Sequence, residues 1–126
     1  MKNLRNFGVA TGRLSKGITI HNNKDGSRKI LLTVAAMDSY VDKEKGRGSQ
    51  FIQMEAFLPA SQKTNGVYDY LDCGDLISVC YSVRNNNYTN REGTAVYELV
   101  LMVEEVALLE SKSAKEARLA AKAAAS

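Results

Sequence analysis

The eight residues Phe51 to Leu58, FIQMEAFL, constrain the fold more tightly than any other stretch. Read with a period of two, Ile52, Met54, Ala56 and Leu58 share one face, and Phe51, Gln53, Glu55 and Phe57 share the other. A wholly apolar face opposite a mixed one predicts a half-buried β-strand with the apolar side in the core. Two phenylalanines are then left among polar neighbours on the open face. Rings so placed either stack on flat ligands such as bases, or pack under a loop or against another subunit.

The flanking sequence extends the pattern. RKILLTVAAMDSY, from Arg28 to Tyr40, is rich in strand-forming residues, and VDKEKGRGSQ joins it to Phe51. Together they predict a long β-hairpin with a solvated, mobile tip. Upstream, Asn6 to Leu14 reads as a first strand ending near Gly12, and Ile18 to Ile20 continues it after a bend at Lys16-Gly17. Asp25-Gly26 is a tight-turn pair. Downstream, Pro59 closes the third strand because it cannot donate to a ladder.

Val67, Tyr70 and Leu71 recur at helical spacing, predicting a short helix around Gly66 to Asp72 with Gly74 as its C-terminal cap. Tyr70 and Leu71 are expected inside, Tyr68 more exposed. Leu76 to Val83 alternates again, with Ile77, Val79, Tyr81 and Val83 opposite Ser78, Cys80 and Ser82. RNNNYTNREG then forms a second hairpin tip carrying Tyr88. The return strand, Thr94 to Leu109, is apolar on both faces, which suits a strand central in a barrel or covered by another subunit.

Five strands with one short helix between the third and fourth is the order of an OB-fold, an all-β five-stranded Greek-key barrel. At 126 residues the chain is long enough for one such core. The expected organisation is a barrel domain over 1–110 and an Ala/Lys-rich tail over 111–126, flexible or helical. No apolar run approaches the ~20 residues of a membrane span. The first residues lack a signal-peptide pattern, so a cytoplasmic protein is expected.

Charge is divided along the chain. Residues 1–47 carry ten basic and four acidic side chains, and 48–110 carry three and nine. Such asymmetry either builds a basic surface for a nucleic acid or reflects two solvated faces. Catalytic chemistry finds no footing. There is no phosphate-binding P-loop, and Gly46-Arg47-Gly48 is followed by Phe51 where a dinucleotide loop needs a third glycine. Cys73 and Cys80 fit neither a metal pair nor a disulfide framework, and the lone His21 has no companion ligand at useful spacing. No metal, cofactor or enzymatic activity is expected.

These segments resemble the bacterial single-stranded DNA-binding protein family from about Asn6 to Glu110. The resemblance rests on GRL at Gly12–Leu14, the turn Asp25-Gly26-Ser27, LTVA at Leu32–Ala35 and FIQMEAF at Phe51–Phe57. YLDCGD at Tyr70–Asp75 and VYELVLMVEEVALLE at Val96–Glu110 complete it. It implies non-enzymatic, largely sequence-independent binding of single-stranded DNA in replication, repair or transfer. Bases would stack on Tyr40, Phe51, Phe57 and Tyr88. Arg13, Lys16, Arg28, Lys29, Lys43, Lys45, Arg47 and Arg84 would follow the phosphates, Arg13, Arg84 and the hairpin-tip lysines foremost.

The family prefers Trp at three of the stacking places, so the platforms here are smaller. Gln53 and Glu55 stand where the family usually has basic or apolar residues. The family's acidic C-terminal tip is absent from this sequence, so recruitment of partners by that route is not expected. The last two departures suggest a specialised or mobile-element member. The family forms homotetramers built from dimers, which implies a homo-oligomer, tetramer or dimer. The rival readings are an OB-fold protein–protein interaction module of a replication or conjugation complex, and an RNA-binding OB protein of cold-shock type.

Overall fold

Alternation decides which side of each strand is buried, and the sheet curls until its ends meet. The computed structural model describes residues 4–125. Its strands are β1 (Gly8–Leu14), β2 (Thr19–Asn22), β3 (Arg28–Met37), β4 (Ser49–Leu58), β5 (Leu76–Asn85), β6 (Tyr88–Thr89), β7 (Ala95–Val96) and β8 (Leu99–Leu108); α1 (Lys112–Ala125) follows. The main sheet runs β1-β5-β8-β4-β3-β2, and pairing of Arg13 with Ala35 and Leu14 with Val34 joins β1 to β3 and closes it. Counting β1 and β2 as halves of one bent strand, this is the five-stranded OB-fold barrel.

Ile30, Leu32 and Val34 of β3 and Met54, Ala56 and Leu58 of β4 point inward, joined by Leu14, Ile77 and Val79. Burying a large aliphatic side chain is worth roughly 1.5–3 kcal/mol, so these positions fix the register. The outward partners follow from it: Lys29 lies opposite Phe57, Leu31 opposite Glu55, Thr33 opposite Gln53, and Ala35 opposite Phe51. A slip of one residue would bury the charges and expose the core.

Several expectations need correction. The segment before β5 forms a 3-10 helix over Gly66–Tyr70 instead of an α-helix reaching Asp72. Residues three apart eclipse in that geometry, so Tyr68 packs against the core with buried Leu71, while Tyr70 is 70% exposed. Burial raises the Tyr68 phenol above its ordinary value. Gly74 does not cap this helix. With φ at +89° it occupies a turn in which Asp75 donates its N–H to the Asp72 carbonyl.

The predicted return strand is broken, with β7 and β8 separated by Tyr97 and Glu98. The ladder between β5 and β8 also shifts at Cys80/Tyr81, where Cys80 faces Glu105 and Tyr81 faces Val103. Glu104 is the extra residue, and its carboxylate accepts a 2.6 Å hydrogen bond from the Ser82 hydroxyl. Ser82 is thereby buried, whereas Val83, expected inside, lies partly exposed. The hairpin tip between β3 and β4 is hydrogen-bonded within itself: Asp42 and Gly46 exchange two backbone bonds of 2.9 Å, and Gly46 takes a φ of +77°.

The tail is anchored. Ser111 caps α1 by accepting the Ala114 N–H at 3.1 Å. Lys115 donates to Asp72 at 2.7 Å and Asp75 at 2.9 Å, and Arg118 to Asp75 at 2.9 Å and Glu110 at 3.0 Å. Asp75 is only 3% exposed. Burial pushes its carboxyl up, but the Asp72 N–H and the two cations outweigh that and hold it below the usual value.

A depressed folded value means a contribution to stability that is complete above the ordinary carboxylate value of 3.8 and fades as pH falls through the lower folded value. Asp75→Asn is expected to cost roughly 2 kcal/mol at neutral pH, less than a fully buried broken pair because both cations can rehydrate. The loss should shrink in acid below that range. Chemical denaturation at pH 7 and pH 3 checks it, and equal losses at both would remove the ion-pair explanation.

Candidate nucleic-acid interface

The outward face of β4 carries the centre of the site. Phe51 and Phe57 are 68% and 58% exposed there, because Met54, Ala56 and Leu58 have taken the core side. The neighbouring strand supplies a shallow apolar shelf. Glu55 pairs in register with Met102 of β8, and Leu101 and Val103 pack inward, leaving Val100 and Met102 half-buried on the outer side. Arg84 of β5 stands opposite Val100, so register places it two strands from Gln53.

Tyr88 lies on β6, opposite Val96 in the small arm formed with β7. Its hydroxyl bonds to the Glu98 carboxylate at 3.3 Å, and the Glu98 charge raises the phenol above its ordinary value. The arm stays attached to the β5–β8 ladder, where the Asn86 N–H reaches the Glu98 carbonyl at 2.9 Å. Glu98 was not singled out by sequence reasoning. Its place two residues beyond the partner of Tyr88 across a hairpin was the available signal. Tyr40 sits in the loop between β3 and β4, exposed and beyond the strand expected to hold it.

The eight basic candidates divide by what holds them. Arg28 donates to Asn65 Oδ1 at 2.7 Å and to the Gln62 carbonyl, clamping the loop after β4. Arg13 donates to the Gly74 carbonyl at 3.0 Å and lies 3.6 Å from Glu110. Arg47 donates to the Asp38 carbonyl at 2.7 Å, and Lys29 pairs with Glu55 at 3.2 Å. Lys16, Lys43, Lys45 and Arg84 are exposed. For Arg13, Glu110 and Gly74, distant in sequence, come within reach when the barrel closes. The same closure makes Arg28 a structural clamp.

Comparison with known proteins places this geometry in context. No protein-family model matches the chain. A single-stranded DNA-binding protein of Enterococcus faecalis is 31% identical over 111 residues, covering 87% of this chain and 57% of that protein. One from Staphylococcus aureus is 24% identical over 108 residues, covering 86% of this chain and 67% of that protein. The chain is similar to bacterial single-stranded DNA-binding proteins over most of its length.

The chain spans little more than half of the Enterococcus protein. Among solved structures, the mitochondrial single-stranded DNA-binding protein of S. cerevisiae superposes with a TM-score of 0.57 at 17% identity, over 82% of this chain and 93% of that one. That likeness carries the OB-fold barrel. Among the described residues no helix is long and apolar enough to cross a membrane.

Proposed function

We propose that this chain is a non-enzymatic binder of single-stranded DNA, largely indifferent to sequence, acting in DNA replication, repair or transfer. The observation that carries the proposal is the pair Phe51 and Phe57, rings held in solvent on the outer face of a strand whose other face is core. Bases stack on them, and Tyr40 and Tyr88 on the two loops add further platforms. Stacking tolerates any base because every base has a flat face. Lys16, Lys43, Lys45 and Arg84 neutralise phosphates and release counterions. Arg13, Arg28, Lys29 and Arg47 serve the protein's own carboxylates and carbonyls first.

Self-association belongs to the same reading. β1 pairs with β5 along Gly8–Arg13 but meets β3 only at Arg13 and Leu14. Its other edge is open over most of its length, beside exposed Phe7 and Val9. A second copy of the chain, giving a dimer or tetramer, is the natural occupant of such an edge.

The test is a titration of labelled oligo-dT at several salt concentrations, with matched RNA as competitor. Four free cations predict a log–log salt slope near −3, at about 0.7 per phosphate on a single strand. DNA should outcompete RNA. A much steeper slope would mean that the tail or the clamped arginines also reach phosphate. Absence of binding to either polymer would leave the exposed rings to a protein partner.

A further inference from the structure

We propose that Arg118 of α1 is a positioning residue for the bound strand: by occupying Glu110 it leaves Arg13 to a backbone phosphate beside the Phe51 platform. The inference rests on the single-strand-binding reading above and assigns the tail helix a part in it. Arg13 pairs with Ala35 across β1 and β3, and Ala35 pairs with Phe51 across β3 and β4. Residues paired in this way share a face of the sheet. Arg13, Ala35 and Phe51 therefore form one outward row, about 10 Å from end to end at ~4.8 Å per strand. The only side chain between cation and ring in this row is a methyl group.

Two guanidinium groups compete for Glu110. Arg118 Nε lies 3.2 and 3.0 Å from the two carboxylate oxygens, and its Nη2 lies 3.1 Å from Oε1. Arg13 Nη1 stands off at 3.6 Å from Oε2 and donates instead to the Gly74 carbonyl at 3.0 Å. Hydrogen bonds from Arg118, ahead of the charge of Arg13, hold the Glu110 carboxyl below its ordinary value. Arg118 is itself fixed, because its Nη2 also donates to buried Asp75 at 2.9 Å. Arg13 keeps 50% of its side-chain surface, against 13% for Glu110 and 25% for Arg118.

A guanidinium has five N–H donors. Among the described residues, both contacts of Arg13 fall on Nη1, and its other donors suit a phosphate. Without Arg118, Glu110 would be a mostly buried carboxylate deprived of its main partner, a costly state. Arg13 is the other described cation within 4 Å of it. A bidentate Arg13–Glu110 pair would occupy the guanidinium, and a phosphate would have to displace the carboxylate and meet its charge. The tail helix thus acts on DNA binding without touching DNA. While α1 is docked, Arg13 adds a fifth contact to those of the four exposed cations.

Wild type, Arg118→Gln, Arg13→Gln and the double variant of these two should be titrated with labelled oligo-dT at several salt concentrations. Arg118→Gln is expected to weaken binding roughly five-fold, the net worth of about one hydrogen bond, and to make the log–log slope shallower by about 0.7. Arg13→Gln should do the same, and the double variant should lose no more than either alone. Adding Glu110→Gln to Arg118→Gln should restore the wild-type slope, since no carboxylate is left to capture Arg13. An undocked helix would not be refastened by Glu110→Gln, so this recovery separates capture of Arg13 from loss of the tail.

An unchanged slope in Arg118→Gln overturns the inference. So does a loss that persists undiminished when Arg13 is already glutamine, which would mark a distant effect of tail charge. Failure of Glu110→Gln to restore the slope overturns it too, and would assign the loss to an undocked helix. Wild-type protein that does not bind oligo-dT overturns the single-strand reading itself, a result distinct from binding that ignores Arg118.

Discussion

The double variant Phe51→Ala, Phe57→Ala is expected to lose about 2–6 kcal/mol of affinity for oligo-dT, from ~1–3 kcal/mol per stacked base. The rings contribute almost independently, because sites more than 7–10 Å apart usually add and these stand six residues apart along one strand. Folding should hardly notice. Both rings project from the outer face, and the core beneath them consists of Met54, Ala56 and Leu58, so the melting transition should stay within about 0.5 kcal/mol of wild type. This separation of affinity from stability is the informative part. A variant that binds normally and melts early would show that the rings pack in an assembly and do not stack on bases.

Legibility of the site depended on whether a residue's role was local. Phe51 and Phe57 were readable because strand alternation is a two-residue rule, and the core side of β4 announces itself. Tyr68 and Tyr70 were exchanged because the spacing of Val67, Tyr70 and Leu71 assumes 3.6 residues per turn, while five residues form a 3-10 turn. Ser82 and Val83 were misplaced for another reason. The ladder shift at Cys80/Tyr81 depends on the pairing partner, and the extra residue, Glu104, lies more than twenty positions away. The basic side chains were least legible of all. A lysine in a sequence is only a charge, and whether it is free depends on which carboxylates the closed barrel brings near it.

That dependence gives the charged residues a common logic. Acidic residues of the second half of the barrel are distributed between two basic candidates and the tail: Glu55 to Lys29, Glu110 to Arg13 and Arg118, and Asp72 and Asp75 to Lys115. In α1, Lys115 and Arg118 are both occupied, so the basic tail fastens itself to the barrel in place of reaching outward as an arm. Lys16, Lys43, Lys45 and Arg84 stay exposed. The result is a body whose acidic and basic side chains balance over residues 1–110.

Gly12→Ala is expected to produce the largest loss of stability of any small substitution, about 3 kcal/mol or more. Gly12 lies where β1 passes from β5 to β3, one residue before the rungs that close the barrel. A methyl group there would land on the Ala35 carbonyl and lie 3.1 Å from Val34 Cγ1. The obstruction is backbone, so no rotamer change relieves it. The strand must move, and with it the neighbouring bonds in which Leu14 accepts the Gly74 N–H and Ser15 donates to the Thr33 carbonyl. Gly17→Ala is the matched control, since nothing lies within 4 Å of its added carbon; its effect should stay within about 0.5 kcal/mol. Denaturant unfolding of both variants, with amide exchange at Leu14 and Ser15, reads the difference. Equal stability in the two would mean that the β1–β3 closure does not hold the barrel together.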